Sequence, residues 1–171
     1  MCIYVRLLFL FGVCCLLSLT GCSDSIKSEL LVNGLNKHKL SLEPVAEALI
    51  IAGDGAILDL RDTPLRIYPD DLEGNISDAQ LSYLSDAGIS FAAYDKGFGG
   101  VVFEVVGRGI GISGSSSGYV FQRTHSKSVD MVDDLQRAFD ERKASLKDGD
   151  SLNVRLVQEV SKHWGIYLET F

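Results

Sequence analysis

The chain has 171 residues, with 16 Lys and Arg against 23 Asp and Glu, a formal net charge of −7. That length suits one domain rather than two, and the acidic balance argues against nucleic acid as a partner. The four cysteines, Cys2, Cys14, Cys15 and Cys22, all fall in the first 22 residues. Everything beyond them lacks a thiol for disulfide, metal or nucleophile.

In chain order, a single cation, Arg6, precedes an uncharged apolar run from Leu7 to Leu19. Small residues follow, in Leu19-Thr20-Gly21-Cys22. A cationic start, a short apolar centre and a small-residue cleavage site form a secretory signal peptide. An uncleaved transmembrane anchor would need about 20 apolar residues, more than the 17 uncharged residues between Arg6 and Asp24, which include the polar end Ser18, Thr20 and Gly21. A cysteine directly after the small residues resembles the lipobox of bacterial lipoproteins. That resemblance implies that residues 1–21 are removed and that the thiol of Cys22 is acylated. The chain would then be held to a membrane by lipid, facing the periplasm. By analogy with enterobacterial lipoproteins, Ser23 rather than Asp after Cys22 favours the outer membrane. Cleavage would remove one Arg and no acid, leaving 15 cations against 23 acids, a net charge of −8.

Residues 22–39 are polar with scattered apolar positions (Ile26, Leu30, Leu31) and are expected to be a short helix or tether. The globular domain is expected over residues 40–171. Pro44 suits the first turn of a helix, and Val45, Ala48, Leu49 and Ala52 keep helical spacing up to Gly53-Asp54-Gly55. Ala56 to Leu60 and Leu65 to Tyr68 read as short strands around Asp62-Thr63-Pro64. Ser77-Asp78-Ala79-Gln80 is a capping box for a helix that ends near Gly88.

Strands are expected over Ile89 to Tyr94 and Val101 to Val106. A further β segment, Tyr119 to Arg123, would follow a turn made of the Ser-Gly run. Ser128 is expected to cap a helix with an apolar stripe of Val129, Val132, Leu135 and Phe139. Lys147 to Asp150 reads as a turn, and Leu152 to Val160 with Trp164 to Thr170 as a closing hairpin. Helices flanking a mostly antiparallel sheet make a single α+β domain.

Three stretches imitate chemistry. Gly109-Ile110-Gly111-Ile112-Ser113-Gly114 has the G-x-G-x-x-G spacing of dinucleotide sites, but that chemistry needs a helix after the glycines. A strand is expected there instead. Gly114-Ser115-Ser116-Ser117-Gly118 has the G-x-S-x-G form, with Ser116 as nucleophile. Asp130, Asp133 or Asp134 and then His163 follow in the order of an α/β-hydrolase triad. The bland account is a Ser- and Gly-rich hairpin turn. The acidic run Asp70 to Asp78 suggests a calcium loop, yet Ile76 and Ser82 stand where an EF-hand needs Gly and Glu. His38, His125 and His163 lack metal-ligand spacing. Neither metal nor other cofactor is expected.

Ile112 to Val120, Val132-Asp133-Asp134-Leu135 and Trp164 to Glu169 together resemble a group of small, uncharacterised proteobacterial lipoproteins. The resemblance covers roughly the last 70 residues and implies a scaffold, with no activity attached. The expectation is therefore a lipid-anchored envelope domain with a non-catalytic binding or structural role, its partner another envelope protein. Ser115, Ser116, Tyr119, Trp164 and Tyr167 are the candidate contact surface, since Tyr and Trp are favoured in interface hot spots. The alternatives are a periplasmic inhibitor or immunity protein, whose acidic surface would suit a basic target, and a serine hydrolase using Ser116.

Overall fold

The computed structural model describes residues 28–110, 113–147 and 150–171. The expected signal peptide, residues 1–21, and Cys22 lie outside them. Helix α1 spans Ser28–Ala52, followed by strands β1 (Ile57–Asp59) and β2 (Arg66–Tyr68). Helices α2 (Asp70–Glu73) and α3 (Asp78–Asp86) lead into β3 (Phe91–Asp95), β4 (Gly100–Ile110) and β5 (Ser113–Gln122). The chain continues through β6 (Asp130–Met131) and α4 (Leu135–Ala144) to the hairpin β7 (Val154–Ser161) and β8 (Trp164–Thr170).

All eight strands form one sheet in the order β2-β1-β3-β4-β5-β8-β7-β6. Every pairing is antiparallel except that of β6 with β7. The chain is an α+β domain. The long hairpin β4–β5 lies at its centre, where Val102 faces Val120 and Phe103 faces Tyr119.

The two faces of this sheet are covered differently. One carries the main core, where Leu35, Leu42 and Leu49 of α1 meet Phe103, Tyr119, Phe121, Trp164 and Ile166. Leu72 of α2, Leu84 of α3 and Leu135 of α4 complete that layer. The opposite face holds a smaller cluster of Ala93, Phe98, Val102, Val120, Val129, Val157 and Tyr167. Loops rather than helices close it. The β3–β4 turn delivers Phe98, held by Asp95 Oδ1 accepting the amides of Gly97 (2.5 Å) and Phe98 (3.2 Å). The segment after β5 delivers Val129.

Four sequence expectations change. First, α1 starts at Ser28, not near Pro44, and runs through residues 39 and 40 without a break. Leu31 and Leu35 are core residues, so residues 28–39 are docked structure rather than tether. Pro44 stands inside the helix, on its exposed side. Its missing N–H leaves the Leu40 carbonyl without a helical donor, but on that side water can replace it.

Second, the Ser-Gly run is not a turn. Ser113–Gln122 is one strand, hydrogen-bonded to β4 on one side and, from Ser115 on, to β8 on the other. Gly118 is required for another reason. A bulge between Glu104 and Val106 brings the β4 backbone over it, and a Cβ there would run into the Phe103 carbonyl. Glycine inside a strand often marks such an approach.

Third, the helix expected after Ser128 begins at Leu135, with Asp134 as its N-cap. The Asp134 carboxylate accepts the Arg137 amide at 2.9 Å, and Gln158 of β7 accepts the Leu135 amide at 3.0 Å. With those N-terminal donors satisfied, Asp130–Met131 is free to pair with Leu156 and Val157. Val129 accordingly packs on the opposite face from Leu135 and Phe139.

Fourth, the residues expected to form a contact surface are mostly core.

Candidate functional site

Alternation along β8 decides the fate of its aromatics. Trp164 and Tyr167 are three residues apart, so they point to opposite faces of the sheet. Trp164, 4% exposed, lies on the helix-covered face, its ring 4.9 Å from that of Phe121 and 6.0 Å from that of Phe103. Tyr167, 1% exposed, lies on the other, edge-on to Phe98 at 5.0 Å. Tyr119 is buried under α1, close enough to Gly34 that a side chain there would meet its hydroxyl. These three are therefore not a surface. Ser115 and Ser116 are half-buried on neighbouring positions of β5.

The triad candidates are not brought together. Ser116 pairs with Glu169, whereas His163 sits in the β7–β8 turn, with Nδ1 3.1 Å from the Gln122 carbonyl. Ser116 and Gln122 are six residues apart on one strand, about 20 Å at the usual rise. Ser116 Oγ instead donates to the Tyr167 hydroxyl at 3.3 Å. Asp134 is occupied as a helix cap, and Asp130 pairs with Arg142 at 2.8 Å. A nucleophile needs its base within hydrogen-bond reach, and this serine has none.

The other imitations also resolve into structure. Gly109, Ile110, Ser113 and Gly114 belong to the β4–β5 hairpin, while Gly111 and Ile112 lie outside the described residues. The acidic run forms α2 and the α3 cap. Ser77 Oγ accepts the Gln80 amide at 3.3 Å, and Gln80 returns the bond to the Ser77 amide at 2.8 Å. No group of His, Cys, Asp and Glu among the described residues could hold a metal ion. His38 faces Tyr83 across the α1–α3 contact at 2.6 Å, and burial, then Lys37, lowers its pKa.

What composition and spacing did not reveal is a set of ion pairs on the loop-covered face. Arg61 binds Asp59 (2.7 Å) and Glu104 (3.3 Å), and Ser90 Oγ donates to the same Glu104 carboxylate at 3.1 Å. The Arg61 hydrogen bond holds the Asp59 carboxyl below its ordinary range despite burial. Across the face, Arg155 donates from Nε to Glu169 at 2.5 Å, and its guanidinium lies over the Phe98 ring, 5.4 Å from the centroid. Burial works to lower the Arg155 pKa, but Glu169 and then Asp95 outweigh it and hold the pKa above the ordinary value.

A cavity of about 620 Å³ opens beside this second pair. Strand β6 covers only Leu156 and Val157 of β7, which leaves the start of β7 open. Asp130, Arg142, Asn153, Arg155, Glu169 and Phe171 line the opening. Two guanidinium groups, two carboxylates and an amide can donate and accept hydrogen bonds at once. That suits recognition of a polar chain, and the Ser128 hydroxyl also lines the opening. Comparison with protein-family models, curated proteins and solved structures finds no match.

Proposed function

We propose that this chain is a lipid-anchored envelope protein, facing the periplasm, which acts by binding and not by catalysis. The observation that carries the reading is Leu19-Thr20-Gly21-Cys22 behind the apolar run Leu7 to Leu19. The sequence offers one acylation position and then no further cysteine. No helix among the described residues is long and apolar enough to cross a membrane. In this reading acyl chains at Cys22 are the means of attachment. Two or more chains give stable anchoring where one does not.

A binding role is supported by the separation of Ser116 from His163 and by the polar opening beside β7. The partner in this reading is another envelope protein that offers a polar, extended segment to Arg142 and Arg155. Replacing Cys22 by Ser tests the anchor. The wild-type chain is expected in the detergent phase of a cloud-point partition, and the variant in the aqueous phase. Equal partition of the two would contradict the reading.

A further inference from the structure

We propose that the outer side of α1 lies on the lipid surface to which the chain is attached, so that the domain is held flat against the bilayer. The inference rests on the anchor at Cys22 proposed above. Its starting observation is the distribution of large apolar side chains that face solvent. On the described helices these are Leu30, Leu40 and Ile51, exposed by 61%, 80% and 83%, and all three belong to α1. At about 100° per residue, Leu40 and Ile51 fall within about 20° of each other, and Leu30 within about 80° of Leu40. The buried residues Leu31, Leu35, Leu42, Val45, Ala46 and Leu49 lie opposite Leu40 and Ile51, while Leu30, about 60° from Val45, stands at the edge of the exposed side.

Single exposed apolar residues are ordinary on a protein surface. A row along one side of one helix is different when neighbouring helices lack it. The exposed residues of α4 are Arg137, Asp140, Glu141, Arg142, Lys143 and Ala144, and those of α3 are Asp78, Ala79, Ser82, Ser85 and Asp86, none of them a large apolar side chain. On α1, Asn33, Lys37 and Pro44 share the apolar side, and Glu29 and the Arg123-paired Glu47 border it within about 20° of Leu40, a mixture suited to the headgroup layer rather than the hydrocarbon.

Chain length selects the lipid surface over other occupants. Ser28 is six residues beyond Cys22, and six residues span at most about 21 Å when fully extended. An acylated Cys22 therefore keeps the start of α1 within that distance of the bilayer. Tethering turns a weak contact into an intramolecular one at high effective concentration, so three side chains can suffice where a free helix would not bind. The polar opening beside β7 is then left free for a partner.

The test uses the full lipoprotein reconstituted in vesicles of phosphatidylethanolamine with a minority of phosphatidylglycerol. Single cysteines replace Leu40, Ile51 or, as a control in the β3–β4 turn, Lys96, and each carries an environment-sensitive fluorophore. Acylation blocks Cys22, so one label per chain reports an intact anchor. The expected result is a blue-shifted emission at 40 and 51 that spin-labelled lipid quenches, with neither effect at 96. A Leu30→Ser, Ile51→Ser background is expected to abolish the quenching at 40 while the protein still floats with the vesicles. Water-like emission at 40 and 51 in floating protein overturns the proposal and leaves the anchor standing. A blue shift that spin-labelled lipid does not quench, and that grows with protein density, also overturns it, because another protein surface then covers the helix. Two labels per chain without flotation overturn both the proposal and the anchor.

Discussion

Ser116 Oγ and the hydroxyl of Tyr167 are joined by a hydrogen bond of 3.3 Å across the β5–β8 pair. The serine that imitates a nucleophile thus partners a buried phenol, which has no other hydrogen bond among the described residues. Removing one partner of a buried hydrogen bond costs the desolvation of the other. Ser116→Ala is expected to destabilise the domain by about 1 kcal/mol. In the Tyr167→Phe background the same change should cost less. Urea denaturation of the four proteins of this cycle measures the coupling, and strict additivity would show that the bond contributes nothing. A fluorophosphonate probe is expected to leave Ser116 unlabelled.

The same tyrosine fixes an alkaline limit. Burial, with help from the carboxylates of Glu104, Glu169 and Asp95, raises the Tyr167 pKa well above its ordinary value, against a smaller opposing effect of the Ser116 hydrogen bond. A group whose folded pKa is raised contributes stability that is fully present below the unfolded value, about 10 for Tyr. That contribution is lost as pH rises from there toward the folded value, because the unfolded chain releases its proton first. Stability should therefore fall steeply above about pH 10, and Tyr167→Phe should make the fall shallower. A remaining slope is expected from Tyr119, raised by burial and by Tyr83. Urea midpoints measured across the alkaline range check both statements.

Leu35 is fully buried in the main core, although it lies in the segment that reads as tether. Leu35→Ala is expected to cost about 2–5 kcal/mol, the range for deleting a packed leucine. Leu40→Ala, at an exposed position of the same helix, should stay within about 0.5 kcal/mol. Thermal or urea melts of the domain distinguish the two. Equal, small effects would mean that residues 28–39 do not pack.

Two glycines predict opposite kinds of damage. At Gly118 a Cβ meets the backbone of Phe103 and Val105, which cannot move without breaking the central pair of strands. At Gly97 it meets the guanidinium of Arg155, the far end of a flexible side chain. Gly118→Ala should prevent stable folding. Gly97→Ala should displace Arg155 from Phe98 and Glu169 and cost about 1–2 kcal/mol. In an Arg155→Ala background the Gly97→Ala penalty should largely vanish, a non-additivity expected of residues in contact. Denaturation midpoints of the single and double variants provide the check.

The fold class was legible because its local signals agree with its tertiary structure. The capping box at Ser77, the strands around Val101 to Val106 and the closing hairpin each follow from short-range patterns. The misread elements are those decided by distant partners. Asp134 takes the α4 cap because Gln158, on another strand, satisfies the next amide. The Ser-Gly run becomes a strand because β8 returns to pair with it.

For α1 the signal was present. Leu31, Leu35, Leu42, Val45 and Leu49 keep helical spacing across Pro44, but proline outweighed the period. The ion pairs of Arg61 and Arg155 join residues from different strands and loops, so spacing along the chain could not expose them. The aromatic residues Trp164 and Tyr167 were visible as large side chains. Which of them faced solvent depended on what covered each side of the sheet, and both sides are covered.

The proposed acylation of Cys22 carries the functional account, and the mass of the protein extracted from the cells that make it tests it most directly. The account predicts a chain that begins at Cys22 and carries acyl groups on that residue. An intact chain beginning at Met1, or a chain that begins at Cys22 with an unmodified thiol, would contradict it.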